Sequence, residues 1–186
     1  MNQATSVKPA QLPEPPTGEL RLTLAVNRWG AYRPVLMLFR TVSRLGDGVF
    51  WYSLMAVIAV LGGTQGLRAA LHMGLTALFV AALYRAMKGV VRRPRPFRRH
   101  GDIVARVRPL DEFSFPSGHT LHAVTFTLVA LAYYPFLAWL LVPFALLVAA
   151  SRVVLGVHYP SDVLAAVALG AAIAAGSLSL APVLAG

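Results

Sequence analysis

Long stretches without a single charged residue alternate along this chain with short segments dense in arginine. Residues 49–63 and 69–84 are two such charge-free runs, each near the lower length limit for a helix that crosses a bilayer. Residues 120–151 form a run of thirty-two uncharged positions, well beyond the roughly 20 that one span needs. Tyr133-Tyr134-Pro135 lies near its midpoint and predicts two spans joined by a tight turn. No charge follows Asp162, so residues 163–180 make a fifth span. The pattern predicts an all-α integral membrane bundle of about five transmembrane helices. Burial of the same segments in a soluble all-α protein would require apolar helices almost without polar faces.

Upstream of the first span the pattern changes. Residues 20–45 interleave apolar groups with Arg21, Arg28, Arg33, Arg40 and Arg44, which predicts a pair of amphipathic helices on the membrane surface, broken near Gly30 and Pro34. Residues 1–19 carry four prolines and few large apolar groups, and read as a flexible polar tail without the apolar core of a signal peptide. Residues 20–186 then form a single membrane domain.

The composition is 57% apolar and 13% charged, with a net charge of +10. High hydropathy combined with positive charge points to a bilayer and an anionic ligand. Nucleic-acid binding is disfavoured, because the basic residues sit between apolar runs instead of on one soluble face. The chain has no cysteine, which excludes disulfides, thiolate metal sites and cysteine nucleophiles. With five spans, sixteen of the seventeen basic residues fall on one membrane face and only Arg68 on the other. The positive-inside rule places that face in the cytoplasm.

Three polar clusters map to the same face. Lys88 and Arg95-Pro96 supply an ammonium and a guanidinium suited to phosphate oxygens, although a basic juxtamembrane stretch also serves as a headgroup anchor. In Phe115-Pro116-Ser117-Gly118-His119, Ser117 can cap the third span and free N–H groups can cradle an anion, with His119 facing it from the first turn. An interfacial histidine beside a plain helix cap is the blander alternative. The third cluster runs over residues 151–162 and brings Arg152, His158 and Asp162 into otherwise charge-free sequence. Ionisable groups so placed are functional by default. A structural Arg152–Asp162 salt bridge would leave His158 unexplained, whereas a carboxylate four residues on can hold one ring nitrogen and free the other to attack.

In these residues the chain resembles the type 2 phosphatidic acid phosphatase (PAP2) superfamily of lipid phosphate phosphatases, relatives of vanadium haloperoxidases and glucose-6-phosphatase. All three of that family's motifs stand intact and in order: Lys88 with Arg95-Pro96, Pro116 to His119, and Ser151-Arg152 with Gly156, His158 and Asp162. They make a motif core over residues 88–162, and Arg44-Leu45-Gly46-Asp47-Gly48 is similar to family sequence less specifically.

The resemblance implies hydrolysis of a phosphate monoester or diphosphate on a membrane lipid, with no metal and no other cofactor. His158 would attack phosphorus to form a phosphohistidine, oriented by Asp162, and His119 would protonate the leaving oxygen. Lys88, Arg95, Arg152, the Ser117 hydroxyl and the Gly118 N–H would bind the phosphate oxygens. A non-catalytic lipid-phosphate binder or transporter on the same scaffold is the alternative, and it would have no need of both histidines. His122, His72 and His100 read as local packing or bonding groups, Tyr159 and Pro160 as shaping a turn, and Arg92, Arg93, Arg98 and Arg99 as headgroup attraction. No motif speaks to oligomeric state.

Overall fold

Charge-free runs of this length must satisfy their backbone internally, and they do so as helices. A computed structural model describes residues 17–185, with side chains over 18–180. The described residues form helices and no strand: α1 (Thr17–Trp29), α2 (Arg33–Arg44), a π-helical turn (Leu45–Val49), α3 (Phe50–Leu61), α4 (Gly63–Val91), the short α5 (Pro96–Arg99), α6 (Gly118–Tyr133), α7 (Ala138–Val154) and α8 (Pro160–Ala185).

Arg33–Leu61, Gly63–Val91, Pro135–Val154 and Pro160–Leu180 are each long and apolar enough to cross a membrane. The fifth apolar helix, α6, has sixteen residues, about 24 Å at 1.5 Å per residue, and packs between α4, α7 and α8 at the centre of the bundle. The two apolar helices predicted within 120–151 are present as α6 and α7, joined by the 3₁₀ turn Pro135–Leu137, and of these only Pro135–Val154 is among the helices long enough to cross.

The predicted break near Gly30 and Pro34 occurs, and the amphipathic α2 is set off from the apolar α3 by a kink in the Leu45–Val49 turn, where Gly48 has a φ of +136°. One expectation is corrected at the N-terminal side. The tail expected over 1–19 lies mostly outside the described residues, and its last three, Thr17 to Glu19, open α1. They are helical because Glu19 has partners: its carboxylate accepts from the Ser161 N–H at 2.9 Å, from the Ser161 hydroxyl and from Arg93 Nη2 at 2.9 Å.

The core lies chiefly among α3, α4, α6 and α7. Trp51, Met73, Phe126, Val129, Leu141 and Val148 are buried together, with the Trp51 and Phe126 ring centroids 5.1 Å apart. Leu71, Leu75, Leu78 and Phe79 of α4, like Trp139 and Leu146 of α7, face outward, as lipid-facing side chains must. Helix α4 stops where Arg92 adopts a left-handed φ of 47° just before Arg93-Pro94, and the chain crosses the bundle mouth before re-entering as α6. This brings the ends of α4 and α7 and the starts of α6 and α8 to one face.

Candidate active site

Lys88 leaves α4 one turn from its end, Arg95 immediately precedes α5, His119 lies in the first turn of α6, Arg152 in the last turn of α7, and His158 in the α7–α8 connection. All five line one cavity of about 240 Å³, with Gly118. Local backbone makes this possible. Between Arg152 and His158 the chain folds back so that the Arg152 carbonyl accepts from the N–H groups of both Val157 (3.1 Å) and His158 (3.2 Å). The reversal needs Gly156, whose φ is +74° and where a Cβ would lie 2.5 Å from the Val104 carbonyl.

The cations are buried and each is anchored. Arg95 Nη1 donates to the Val157 carbonyl at 2.7 Å and lies 3.3 Å from His158 Nε2. Arg95 Nη2 and Lys88 Nζ converge on one oxygen of Asp111, at 2.7 and 2.6 Å. Burial pushes the Asp111 carboxyl up, but the two cations outweigh it and hold it below the usual carboxylate range. Arg152 is fully enclosed and donates from Nη1 to the Ser43 hydroxyl at 2.6 Å.

His158 is buried among these charges. Burial first, and then Arg95, Arg152, Lys88 and His119, hold its imidazole well below the ordinary histidine value, so it is neutral near pH 7 with Nε2 turned toward Arg95. On its far side Nδ1 lies 3.6 Å from Asp162 Oδ2, too long for a hydrogen bond, and that oxygen accepts the Tyr159 N–H at 2.8 Å. Asp162 therefore lies behind His158 as a near carboxylate and fixes the turn that carries it.

Two residues, Ser117 and Arg93, depart from expectation. Ser117 occupies the N-cap position, but its buried hydroxyl pairs with the Thr120 hydroxyl at 2.9 Å and lies outside the cavity lining. The Arg152–Asp162 bridge does not form, because Arg93 takes Asp162 Oδ1 at 2.7 Å and Arg152 turns to Ser43. Arg93 is thus no headgroup anchor; it also reaches Ser161 and Glu19 and sits 4.1 Å over the Tyr159 ring. The other histidines behave as expected: His72 Nδ1 bonds the Tyr133 hydroxyl at 2.9 Å, and His122 Nδ1 donates to the Gly118 carbonyl at 2.9 Å.

Sequence reasoning passed over Asp111 and assigned no role to Asp47, which pairs with His119 Nε2. Both are carboxylates in a chain that has only seven, and that scarcity was the available signal. No group of three or more histidine, aspartate or glutamate side chains converges as a metal site among the described residues.

The PAP2 superfamily model matches residues 68–183, which contain every one of these cavity residues except those of the π-helical turn and α3. The chain belongs to the PAP2 superfamily. It is a phosphatase of the membrane-embedded, lipid-phosphate type. It is 34% identical over 166 residues to a decaprenylphosphoryl-5-phosphoribose phosphatase of Mycobacterium tuberculosis, covering 86% of this chain and 89% of that protein. The crystal structure of LpxE from Aquifex aeolicus superposes with a TM-score of 0.72 at 26% identity, over 91% of this chain and 99% of that one. A transmembrane PAP2-type phosphatidylglycerolphosphate phosphatase from Bacillus subtilis superposes with a TM-score of 0.65 at 25% identity, over 89% and 87%.

Proposed function

We propose that this PAP2 enzyme releases inorganic phosphate from a long-chain lipid, of the polyprenyl (sugar) phosphate or diphosphate or the phosphatidylglycerol phosphate class, through a phosphohistidine on His158 and without a metal. The observation that carries the reading is the buried His158, whose Nε2 faces a pocket walled by Lys88, Arg95 and Arg152. A neutral imidazole attacks phosphorus, the ester bond breaks, and His119 gives its proton to the departing oxygen. Water then attacks the phosphohistidine, with His119 taking its proton, and phosphate leaves. Lys88, Arg95, Arg152 and the Gly118 N–H neutralise the charge spreading over the equatorial oxygens. Asp162 positions the turn that carries His158, and Ser117 acts through Thr120 on the start of α6.

The cavity's other wall fits a lipid. Tyr52 of α3 and Leu78 of α4 line it and are exposed on the outside of the bundle, which gives an apolar chain a lateral path between these helices. Phosphate release from a panel of these lipids and phosphatidic acid by the purified protein, in EDTA, tests the reading. Turnover lost in EDTA and restored by Mg²⁺, or retained in His158→Ala, overturns it.

We place the protein in the cell (inner) membrane with its active site on the cytoplasmic side, on the strength of the one-sided distribution of arginine. Single cysteines introduced at Gln3 and Gly101 should resist a membrane-impermeant maleimide in intact cells. Labelling of either there reverses the assignment.

A further inference from the structure

A second cavity, of about 520 Å³, adjoins the first and is not used by the mechanism above. His119 and Arg152 line both cavities, whereas His158 lines only the first. The second cavity is therefore reached from the catalytic pocket on the side of the leaving-group acid, away from the nucleophile. Its walls come from α2, which contributes Arg40 and Arg44, and from the 106–108 segment, which contributes Arg106 and Arg108. Among the described residues none of these four arginines is ion-paired to a carboxylate. Asp47, the carboxylate in the lining, is engaged by His119.

Part of this basic wall is fixed by hydrogen bonds, although Arg40, Arg44 and Arg108 are themselves exposed. Asn27 of α1 clamps the loop by accepting the Val104 N–H at 3.0 Å and donating to the Val104 and Val154 carbonyls, each at 3.0 Å. The Arg106 N–H donates to the Leu155 carbonyl at 3.0 Å, and the Arg106 carbonyl accepts from Arg40 Nε at 2.9 Å. The Arg106 side chain passes over the backbone at Gly30, where a Cβ would lie 2.5 Å from Nε, and that Nε is buried without a hydrogen-bond partner. The α1–α2 break and the loop thus fix Arg40 and Arg106 beside a cavity whose five lining arginines outnumber its one carboxylate, Asp47.

We propose that this cavity is a second phosphate-binding site, contiguous with the catalytic pocket through Arg152 and His119. Guanidinium forks in a partly enclosed site suit a phosphate or phosphodiester. Two sources supply that chemistry: a second phosphate on the leaving group of the substrate, or inorganic phosphate on its way out of the catalytic pocket. The proposal rests on the phosphatase reading above.

The test uses the full-length protein in mixed micelles. The first arm compares kcat/KM for lipids with a second phosphate on the leaving group, polyprenyl diphosphate and phosphatidylglycerol phosphate, with that for phosphatidic acid, which has none. In Arg44→Gln/Arg108→Gln the ratio should fall about tenfold or more, as expected for lost charge-assisted hydrogen bonds. Arg108→Gln alone, at an exposed loop position, covers the case in which the double variant does not fold. The second arm titrates inorganic phosphate by calorimetry into wild-type protein whose catalytic pocket is saturated with vanadate. A falling ratio supports the site with the headgroup as source, and a further phosphate bound to the vanadate complex supports it with free phosphate as source. A ratio that moves less than twofold, including through parallel losses on all lipids, together with no additional phosphate bound, overturns the proposal. Failure of the wild type to release phosphate from any lipid would instead refute the phosphatase reading, so the two failures are distinct.

Discussion

Arg93 Nη1 lies 2.7 Å from Asp162 Oδ1, joining the loop after α4 to the first turn of α8 across 69 residues of sequence. The pair sits directly behind the turn that carries His158, since the other oxygen of the same carboxylate holds the Tyr159 N–H. Removing the guanidinium leaves a fully buried carboxylate uncompensated, a change that is costly in general.

Arg93→Gln should therefore lower kcat by roughly tenfold to a hundredfold while KM stays within about threefold, because the misplaced group is the proposed nucleophile and not the proposed phosphate clamp. Glu19→Gln leaves Arg93 on Asp162 and should reduce the melting temperature more than kcat. Equal effects of the two changes on kcat would show that Arg93 acts only as a strut. Steady-state kinetics paired with thermal melts in detergent separate these outcomes.

The helices and the three clusters were legible because each depends on local sequence: uncharged length gives a span, and fixed spacing gives a motif. The partners of those clusters were not. Asp111 meets Lys88 and Arg95 from 23 and 16 residues away, and Ser43 meets Arg152 from 109 away, so only the closed bundle brings them together. Arg93 looked interchangeable with Arg92 beside it, yet the left-handed turn at Arg92 sends one side chain to the protein interior and leaves the other exposed.

Asp111 holds Lys88 and Arg95, the two cations proposed to bind phosphate, so in that mechanism substrate and carboxylate compete for them. Asp111→Asn leaves Lys88 and Arg95 with less compensation, and the melting temperature in phosphate-free buffer should fall by several degrees. Added phosphate or vanadate should then raise it more than in wild type, because the anion replaces the lost charge. An identical anion-induced shift in both proteins would mean that Asp111 does not share the anion's partners.

His119 should matter in proportion to how poor the leaving group is. His119→Ala should lose about a hundredfold or more on a lipid alcohol ester and much less on an aryl phosphate, whose leaving oxygen needs no proton. Asp47→Asn, which removes the partner of His119 Nε2, should show the same pattern in weaker form. Equal losses on both substrates in the His119 variant would remove it from the acid role.

Arg152→Lys keeps the charge but not the fork. Arg152 uses one nitrogen on Ser43 and lines both cavities, and a single ammonium cannot do both. Its kcat/KM should fall about a hundredfold, while Ser43→Ala should fall less, since only the anchor is lost. Near-normal turnover in the lysine variant would place Arg152 outside the clamp.

The protonation of His158 is the sharpest test of its role, because a nucleophilic imidazole must be neutral. Burial is the largest influence, followed by Arg95 at the start of α5, Arg152 on α7, Lys88 on α4 and His119 on α6, and all of them lower its affinity for a proton. Asp162 on α8 lies 3.6 Å from Nδ1, beyond hydrogen-bond reach. The unfolded chain takes up a proton on this residue as pH falls through about 6.5, while the folded enzyme does not, so the group withdraws stability toward acid and still leaves the nucleophile ready. Rate profiles alone would mix this with the substrate phosphate, which itself ionises near pH 6. A ¹⁵N-histidine titration in detergent avoids that overlap: the His158 midpoint should lie well below 6.5. In Arg95→Gln, where one repelling charge is gone, it should move up. A wild-type midpoint at or above 6.5, or a downward move in the variant, would mean that His158 does not sit neutral among these cations and is not poised as the attacking group.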